Sequence, residues 1–209
     1  MTSSLVYTSS DRQEALHSAG EEAARQAILL AYNSLPSHTR AAITIQKDSL
    51  GKPYGIYGDA SSPINISISH SFPFALGVAT TKKHILLGAD IERVRHFAHA
   101  TWESFLTPRE KTVISRAHHT TQAHLRTLCW SLKEATLKAL GVGLRLHPKH
   151  IDVAEALLPR AHRATILIRN IPVSAQVNVR RIAPDFIATT IAIPHSASMI
   201  GLVSSYGRT

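Results

Sequence analysis

Two short segments of the chain carry acidic residues at spacings that could hold a metal ion. Residues 88–92 read GADIE and follow an apolar run, and residues 130–144 read WSLKEATLKALGVGL. On a β-strand, Asp90 and Glu92 point to the same side because side chains alternate between the two faces. Two carboxylates this close repel each other unless a cation lies between them, and Mg²⁺ is bound by carboxylate and phosphate oxygens. The pair is a candidate Mg²⁺ site, although the two arginines nearby could also neutralise a solvated strand end.

The second segment predicts a helix that carries an acid and a base one turn apart. An apolar stripe recurs there at helical spacing, formed by Leu128, Leu132, Ala135 and Ala139. Glu134 and Lys138 are four residues apart on one side of this stripe, which suits either a surface ion pair or part of a site. We expect Trp130 to belong to the core and Lys133 to be a solvated charge.

A histidine flanked by serines closes an alternating run in the first half of the chain. The run INISIS covers residues 64–69 and leads into His70 and Ser71. Its period of two predicts a half-buried strand with the isoleucines inside. A serine next to a histidine could suggest a hydrolase, but no strained G-x-S-x-G turn surrounds this pair. We therefore exclude a serine hydrolase and expect a hydrogen-bonded histidine at a strand end.

The composition limits the partners and the compartment. The 209 residues carry a formal net charge of +9, which favours anionic partners such as nucleic acid, a phosphorylated cofactor or an acidic protein. No zinc-finger or RNP signature is present, and no aromatics are interleaved with the arginines after residue 160. No apolar run is long enough to cross a bilayer, and the first residues do not resemble a signal peptide. Because Cys129 is the single cysteine, no intrachain disulfide can form. We expect a soluble, cytoplasmic protein.

The pattern of elements predicts an α+β fold. Three helices are predicted: one at 13–32 after a cap at Ser10–Asp11, one from Pro108 with Thr107 and Glu110 as a capping box, and one at 122–140 that ends before Gly141. Strands are predicted at 41–46, 64–69, 74–81, 84–92, 164–169, 175–180 and 186–193. A loop is predicted at 51–59. In the first helix, Ala23, Ala27, Leu30 and Ala31 are expected to share one face. A helix and strands occur in each half, so we expect two similar α/β lobes, residues 1–88 and 89–209, each a helix packed on a small antiparallel sheet.

Five blocks together resemble one enzyme family. GKP (51–53), NISISHS (65–71), GADIE (88–92), FLTPRE (105–110) and WSLKEATLKALGVGL (130–144) occur in the order and approximate spacing of the 4′-phosphopantetheinyl transferases. The pattern is similar to the longer, Sfp-like branch, in which two lobes are related by pseudo-two-fold symmetry within a monomer. The acidic block and the W-x-x-K-E block are specific in combination, whereas GKP or SHS alone would be weak.

The resemblance implies a reaction and a set of catalytic residues. Such enzymes transfer phosphopantetheine from coenzyme A to a serine of an apo carrier protein and release 3′,5′-ADP. Carried over, it makes Asp90, Glu92 and Glu134 the ligands of Mg²⁺, with Mn²⁺ as an alternative. Glu134, or a water on the metal, would accept the proton of the serine. Lys138 would stabilise or protonate the leaving phosphate.

The resemblance also implies contacts with coenzyme A and with the carrier. Lys52, Ser69 and His70 would bind its phosphates, together with Asp90 and Lys138. Relatives carry a basic residue in the first helix where this chain has Leu16; the substitutes considered are Arg12, His17 and Arg25. The partner would be an acyl, polyketide or peptidyl carrier protein, with GVGL (141–144) offering a groove to one of its helices. Phe105 would be core and Glu110 an orienting residue.

Two other functions are compatible with the sequence. A coenzyme A-binding paralogue without transfer activity would share the fold, but the acids and the lysine of the two motifs are intact. A basic nucleic-acid-binding protein would use the same charged surface, would bind with a steep salt dependence and would not depend on Glu134.

Overall fold

Two antiparallel sheets form the framework of the protein. The computed structural model describes residues 2–7, 12–32, 42–58, 63–96 and 98–195. The first lobe consists of strands β1 (Thr2–Tyr7), β2 (Ile43–Lys47), β3 (Pro53–Tyr57), β4 (Ile64–Ser71) and β5 (Phe74–Thr80) and helix α1 (Arg12–Ala31). The second lobe consists of strands β6 (Ile85–Arg93), β7 (Ile151–Asp152), β8 (Arg163–Ile168), β9 (Ile171–Ala183) and β10 (Phe186–Pro194) and helices α2 (His99–Phe105), α3 (Pro108–Ser115) and α4 (His119–Leu140). None of the helices within these ranges is both long and apolar enough to span a membrane.

The two sheets have the same strand order. The first runs β1-β5-β4-β3-β2 and the second β6-β10-β9-β8-β7, so adding five to each strand number converts one into the other. Helix α1 covers the first sheet and α4 the second. The predicted α+β fold of two similar lobes is therefore confirmed. The predicted boundary at residue 88 falls inside β6, which pairs with β10 along its whole length, and sheet membership instead places the division in residues 81–84.

Several predicted features of the helices and strands hold, and others differ. The capping box of α3 is present, because Thr107 accepts from the Glu110 N–H and Glu110 accepts from the Thr107 N–H. Helix α4 ends at Gly141, whose φ of 70° is the left-handed conformation that ends many helices. The segment expected to be a loop contains β3, and α2 was not predicted. Leu30, expected on the buried face of α1, is 49% exposed. The predicted cap at residues 10–11 lies outside the described residues.

Strand β3 was mistaken for a loop because its glycine and proline have other roles. Pro53 occupies the first position of the strand, where a missing N–H is tolerated. At Gly55, a Cβ atom would lie 2.5 Å from the Cδ1 atom of Ile28. The glycine therefore makes room for a side chain of α1 and does not mark a turn.

The lobes are joined by side chains of β4 that bind the backbone of β6. Asn65 Nδ2 donates to the Ile85 carbonyl at 2.7 Å, Ser67 Oγ accepts from the Ala89 N–H at 3.0 Å, and Ser69 Oγ accepts from the Ile91 N–H at 3.3 Å. Strand β6 is at the edge of its sheet, so these bonds satisfy groups that lack a neighbouring strand. The prediction of a half-buried β4 was wrong, because Ser67 and Ser69 are only 3% and 6% exposed.

A glycine brings helix α4 into direct contact with β6. A Cβ atom on Gly88 would lie 1.8 Å from the carbonyl oxygen of Ala135 and 2.6 Å from the nitrogen of Ala139. Side chains alternate along a strand, so Asp90 and Glu92 share the face of Gly88 and point toward α4. The glycine of GADIE thus sets how near the two acids are to the helix.

Replacing Gly88 by alanine should force α4 away from β6. The obstructing atoms are backbone atoms, which cannot rotate aside, so we expect the free energy of unfolding to fall by about 3 kcal/mol or more. Urea denaturation of both proteins measures this difference. Gly55→Ala is the matched control, because the added Cβ would meet Cδ1, the far end of the Ile28 side chain, at 2.5 Å, and this terminal atom can rotate aside. A Gly88→Ala chain as stable as this control would contradict the assigned role.

Candidate active site

Five of the seven predicted site residues line one cleft, to which both lobes contribute, whereas Lys52 and Glu134 are not among its lining residues. Ser69 and His70 come from β4, Asp90 and Glu92 from β6, and Lys138 from α4. The cleft has a volume of about 370 Å³. Its other lining residues include His17 and Glu21 of α1, Ile45 and Lys47 of β2, and Pro53, Ile68 and Ile91. One chain therefore supplies residues to this cleft from both lobes.

Asp90 is a buried carboxylate with one satisfied and one unsatisfied oxygen. The residue is 3% exposed. Its Oδ1 atom accepts hydrogen bonds from Lys138 Nζ at 2.7 Å and from Ser69 Oγ at 2.8 Å. Its Oδ2 atom is buried and has no hydrogen-bond partner among the residues that the structure describes. A buried oxygen left in this way is destabilising, and a bound cation would satisfy it.

Glu92 is oriented by an aromatic residue that was predicted to serve only the core. The indole N–H of Trp130 donates to Glu92 Oε1 at 3.0 Å, and Arg95 donates to Oε2 at 3.3 Å. Burial raises the pKa of Glu92, the neighbouring Asp90 carboxylate raises it further, and Arg95 and Trp130 lower it in part. Trp130 does pack against the hydrophobic core, with its ring 5.0 Å from that of Phe105. It also fixes the direction of the Glu92 carboxylate.

Glu134 completes a group of three acids that influence one another. Burial raises the pKa of Glu134, Lys138 lowers it in part, and Asp90 and Glu92 raise it. Lys138 forms its ion pair with Asp90 across the cleft. The ion-pair partner of Lys138 is therefore Asp90, and the alternative of a surface ion pair between Glu134 and Lys138 does not hold.

The donor atoms in the cleft fit a hard cation that takes its remaining ligands from water or from the substrate. Within the described ranges, no group of three or more His, Cys, Asp or Glu side chains is arranged to hold a metal ion. The carboxylates of Asp90 and Glu92, with the unsatisfied Oδ2 atom, offer only oxygen donors. Mg²⁺ prefers such donors and usually completes its shell with waters and substrate phosphates, so an incomplete protein shell suits it.

Lys133 is buried, so the prediction of a solvated charge was wrong. It is 0% exposed and pairs with the equally buried Glu110 at 2.9 Å. Its Nζ atom also donates to the carbonyls of Phe105, Pro148 and Ile151. Glu110 in turn accepts from the backbone N–H groups of Thr107 and Val153. This network fixes α4 to α3 and to the turns after α4, directly beside Glu134.

Lys52 lies apart from the other predicted site residues. Its Nζ atom donates to the carbonyl oxygen of Ala139 at 2.9 Å, near the C-terminal end of α4. Burial lowers its pKa, and Asp48 raises it in part. It lines a separate cavity of about 650 Å³ together with Tyr54 and Lys83. Its predicted contact with coenzyme A stays a prediction.

Two further basic residues line the cleft: Lys47, which the sequence analysis missed, and His17, which it considered as a substitute at the position of Leu16. Lys47 follows Ile45 by two positions on β2, and both side chains line the cleft, as the alternation of a strand requires. His17 also lines it and lies 3.4 Å from Glu21. Arg25 is engaged elsewhere, since it bonds Glu21 at 3.1 Å and the Ile43 carbonyl at 3.3 Å. Three residues were considered as substitutes at the position of Leu16, and the structure places His17 in the cleft. The side chain of Arg12 lies outside the described part of the chain.

An apolar groove of about 530 Å³ adjoins the cleft through Glu92. It is lined by Trp102, Phe105, Trp130, Leu144 and Pro148, with Arg95, Thr101, Ser104 and His147. Leu144 is 72% exposed, which is unusual for a large apolar side chain in a fold with an extensive core. The segment GVGL, predicted to offer a groove, thus contributes one wall of an apolar groove.

Comparisons with known proteins give a matching family model, a similar curated protein and a similar solved structure. The sequence model of the 4′-phosphopantetheinyl transferase superfamily matches residues 86–191. The human L-aminoadipate-semialdehyde dehydrogenase-phosphopantetheinyl transferase is 30% identical over 121 residues, which cover 53% of this chain and 38% of that protein. The crystal structure of the holo-(acyl-carrier-protein) synthase of Thermotoga maritima aligns with a TM-score of 0.38 and 19% identity, over 54% of this chain and 65% of that one.

The raised pKa of Glu134 predicts how its removal changes stability with pH. In the metal-free protein at a pH above this raised pKa, the charged carboxylate destabilises the folded state relative to the unfolded state, and this is the disadvantage that depends on pH. The disadvantage fades as the pH falls from the raised pKa toward the ordinary value of 4.5 and is lost below that value, where the group is protonated in both states. Glu134→Gln should therefore raise the thermal unfolding midpoint of the metal-free protein at pH 7, and the gain should shrink on acidification.

The control for this experiment is Glu14→Gln, which removes one negative charge from an exposed position of the same cationic chain. Calorimetric scans in EDTA between pH 4.5 and 7.5 compare the three proteins. A midpoint of Glu134→Gln that falls below that of the wild type at pH 7 would contradict the assignment of a strained carboxylate.

Proposed function

Because the chain belongs to the 4′-phosphopantetheinyl transferase superfamily, we propose that it transfers 4′-phosphopantetheine from coenzyme A to a serine of an apo carrier protein and releases 3′,5′-ADP. The observation that carries the proposal is the buried Asp90, whose unsatisfied Oδ2 atom lies in a cleft with a second acid and a lysine. This arrangement suits a metal-dependent reaction at a phosphate group. The match covers only 38% of the human protein, so the activity, substrates and partners of this chain are our proposal.

Asp90, Glu92 and Glu134 are the residues that would hold Mg²⁺, with Mn²⁺ as an alternative. When bound, such an ion neutralises the charge that develops on the diphosphate oxygens during transfer. The protein prepares for it by burying Asp90 and by fixing Glu92 through Trp130. The mutual repulsion that raises the pKa of Glu92 and Glu134 is relieved by a cation.

The transfer requires a proton acceptor and a cation beside the leaving group. The serine Oγ atom forms a bond to the phosphorus that carries pantetheine, and the bond from that phosphorus to the oxygen of 3′,5′-ADP breaks. We assign the proton of the serine to the carboxylate of Glu134, whose raised pKa brings it closer to the working pH. Lys138 supplies positive charge in the cleft, where it stabilises the leaving phosphate.

The first lobe supplies the basic groups for coenzyme A. His70, His17 and Lys47 line the cleft opposite the acids of β6. The positive charge of Lys47 and the ring N–H donors of the two histidines suit a phosphate that the metal does not neutralise. Lys52 lies in the neighbouring cavity, and we retain it as a contact for a more distant part of the same molecule.

The carrier protein would dock at the apolar groove beside Glu92. The groove combines the exposed Leu144 with the aromatic residues Trp102 and Trp130, and Arg95 lies at its rim. The net charge of +9 favours an acidic partner, because opposite charges steer encounter and orient the complex. An acyl, polyketide or peptidyl carrier of the usual acidic kind fits these features. Since both lobes of one chain supply the cleft, we also propose that the enzyme works as a monomer.

The proposed transfer is tested directly by weighing carrier proteins after the reaction. The purified chain is incubated with coenzyme A, Mg²⁺ and a panel of apo carriers, and the carriers are analysed by mass spectrometry. We expect a carrier to gain the mass of one phosphopantetheine group, and we expect Glu134→Gln to lose at least 100-fold in rate. EDTA should abolish the gain.

The same experiment separates the alternatives. Binding of coenzyme A with no modified carrier in the panel would favour an inactive paralogue. Salt-sensitive binding of nucleic acid that Glu134→Gln leaves unchanged would favour the nucleic-acid-binding protein. Full activity of Glu134→Gln at saturating Mg²⁺ would overturn the role of this residue.

Steady-state kinetics should distinguish the roles of His70 and Lys138 in the cleft. His70→Ala should raise KM for coenzyme A more than it lowers kcat, because a phosphate contact binds substrate and transition state alike. Lys138→Ala should mainly lower kcat, since charge grows on the leaving phosphate only as its bond breaks. Lys82→Ala, in the turn before β6, controls for the loss of a positive charge. An unchanged kcat in Lys138→Ala would remove the proposed stabilisation of the leaving group.

A further inference from the structure

The hydroxyl of Ser69 uses all of its hydrogen-bonding capacity within the protein. A serine hydroxyl can donate one hydrogen bond and accept two. Ser69 Oγ donates to Asp90 Oδ1 at 2.8 Å, accepts from Lys138 Nζ at 2.9 Å, and accepts from the Ile91 N–H at 3.3 Å. The side chain is 6% exposed, although it lines the cleft.

This saturation disagrees with the role that the sequence suggested for Ser69. A contact with a phosphate of coenzyme A would require the hydroxyl to donate a hydrogen bond to a phosphate oxygen. Its single proton is already directed at Asp90, and a new donation would remove one of the two bonds that hold this buried carboxylate. Breaking a hydrogen bond to a buried charge is costly.

We propose that Ser69 is a positioning residue that orients Asp90 for the metal, and that it does not contact coenzyme A. The proposal rests on the transfer function proposed above. With Oδ1 held by Ser69 and Lys138, the carboxylate cannot rotate freely, and its second oxygen is the one left for a cation. The bond from the Ile91 N–H ties the serine to the backbone of β6, so the orientation of Asp90 is fixed by the joint between the lobes.

Ser67 offers a control on the same strand. It is two residues earlier on β4, is equally buried, and accepts from the Ala89 N–H of β6 at 3.0 Å. It therefore contributes to the same joint, but within the described part of the chain it makes no hydrogen bond to a carboxylate of the cleft. Removing either hydroxyl should weaken the joint, whereas removing that of Ser69 alone should affect the metal.

The experiment measures the affinity for coenzyme A by calorimetry, once in EDTA and once in saturating Mg²⁺. In the wild type, Mg²⁺ should tighten binding, because the ion links the acids to the diphosphate. In Ser69→Ala, affinity in EDTA should stay within twofold of the wild type, and the tightening by Mg²⁺ should fall about tenfold, the usual effect of losing a group that orients a metal ligand. Ser67→Ala should retain the full tightening.

A second variant guards against a simple loss of folding. Ser69→Cys keeps nearly the same volume but has a weak donor, so it should show the same loss of tightening with an unfolding midpoint closer to that of the wild type. Equal weakening of coenzyme A binding with and without metal would overturn the proposal in favour of a direct contact. Unchanged tightening in both Ser69 variants would also overturn it. If Mg²⁺ does not tighten binding in the wild type, the proposed function itself fails.

Discussion

The outer edge of strand β6 is the constraint on which the rest of the molecule depends. An edge strand presents N–H and C=O groups that must find partners when the edge is buried. Here the missing second sheet neighbour of β6 is replaced by side chains of β4, with Ser67 and Ser69 accepting from the backbone of β6. The same contact that joins the lobes therefore places a hydroxyl of the first lobe against Asp90 of the second. Assembly of the two lobes and assembly of the site are a single event.

A second pair of constraints places helix α4 against this strand. Gly88 allows the backbone of the helix to touch β6, and the buried pair of Lys133 and Glu110 fixes the helix on its other side. A buried ion pair is stable only when further hydrogen bonds satisfy both groups, and here backbone carbonyls and N–H groups do so. Glu134 follows Lys133 directly in sequence. Its position is therefore fixed by a side chain that points away from the cleft.

The cleft is less stable than the structure around it. Asp90 has a buried oxygen without a partner in the described part of the chain, and burial together with neighbouring acids raises the pKa of Glu92 and Glu134. Violations of this kind concentrate at functional sites, where the surrounding packing compensates for them. The two anchored surfaces of α4 supply that compensation, because they prevent the helix from moving away to relieve the repulsion. The unfavourable charges are thus held in place, as the proposed cation site requires.

The sequence predicted the parts of this site that are local, and missed those that depend on the other lobe. Asp90 and Glu92 could be assigned to one face because strand alternation is a local property. The burial of Lys133 could not be predicted, because a lysine beside an apolar stripe is solvated unless carbonyl groups from distant segments converge on it. The alternation of INISIS was interpreted as a strand with one buried face and one face exposed to water. Alternation alone cannot tell whether the polar face meets water or the backbone edge of another sheet. The types of the polar residues held the missing information: asparagine and serine are short, and a face meant for solvent would more often carry lysine or glutamate. Short hydroxyl and amide groups are what a buried backbone edge requires, since they reach its N–H and C=O groups without holding the two lobes apart.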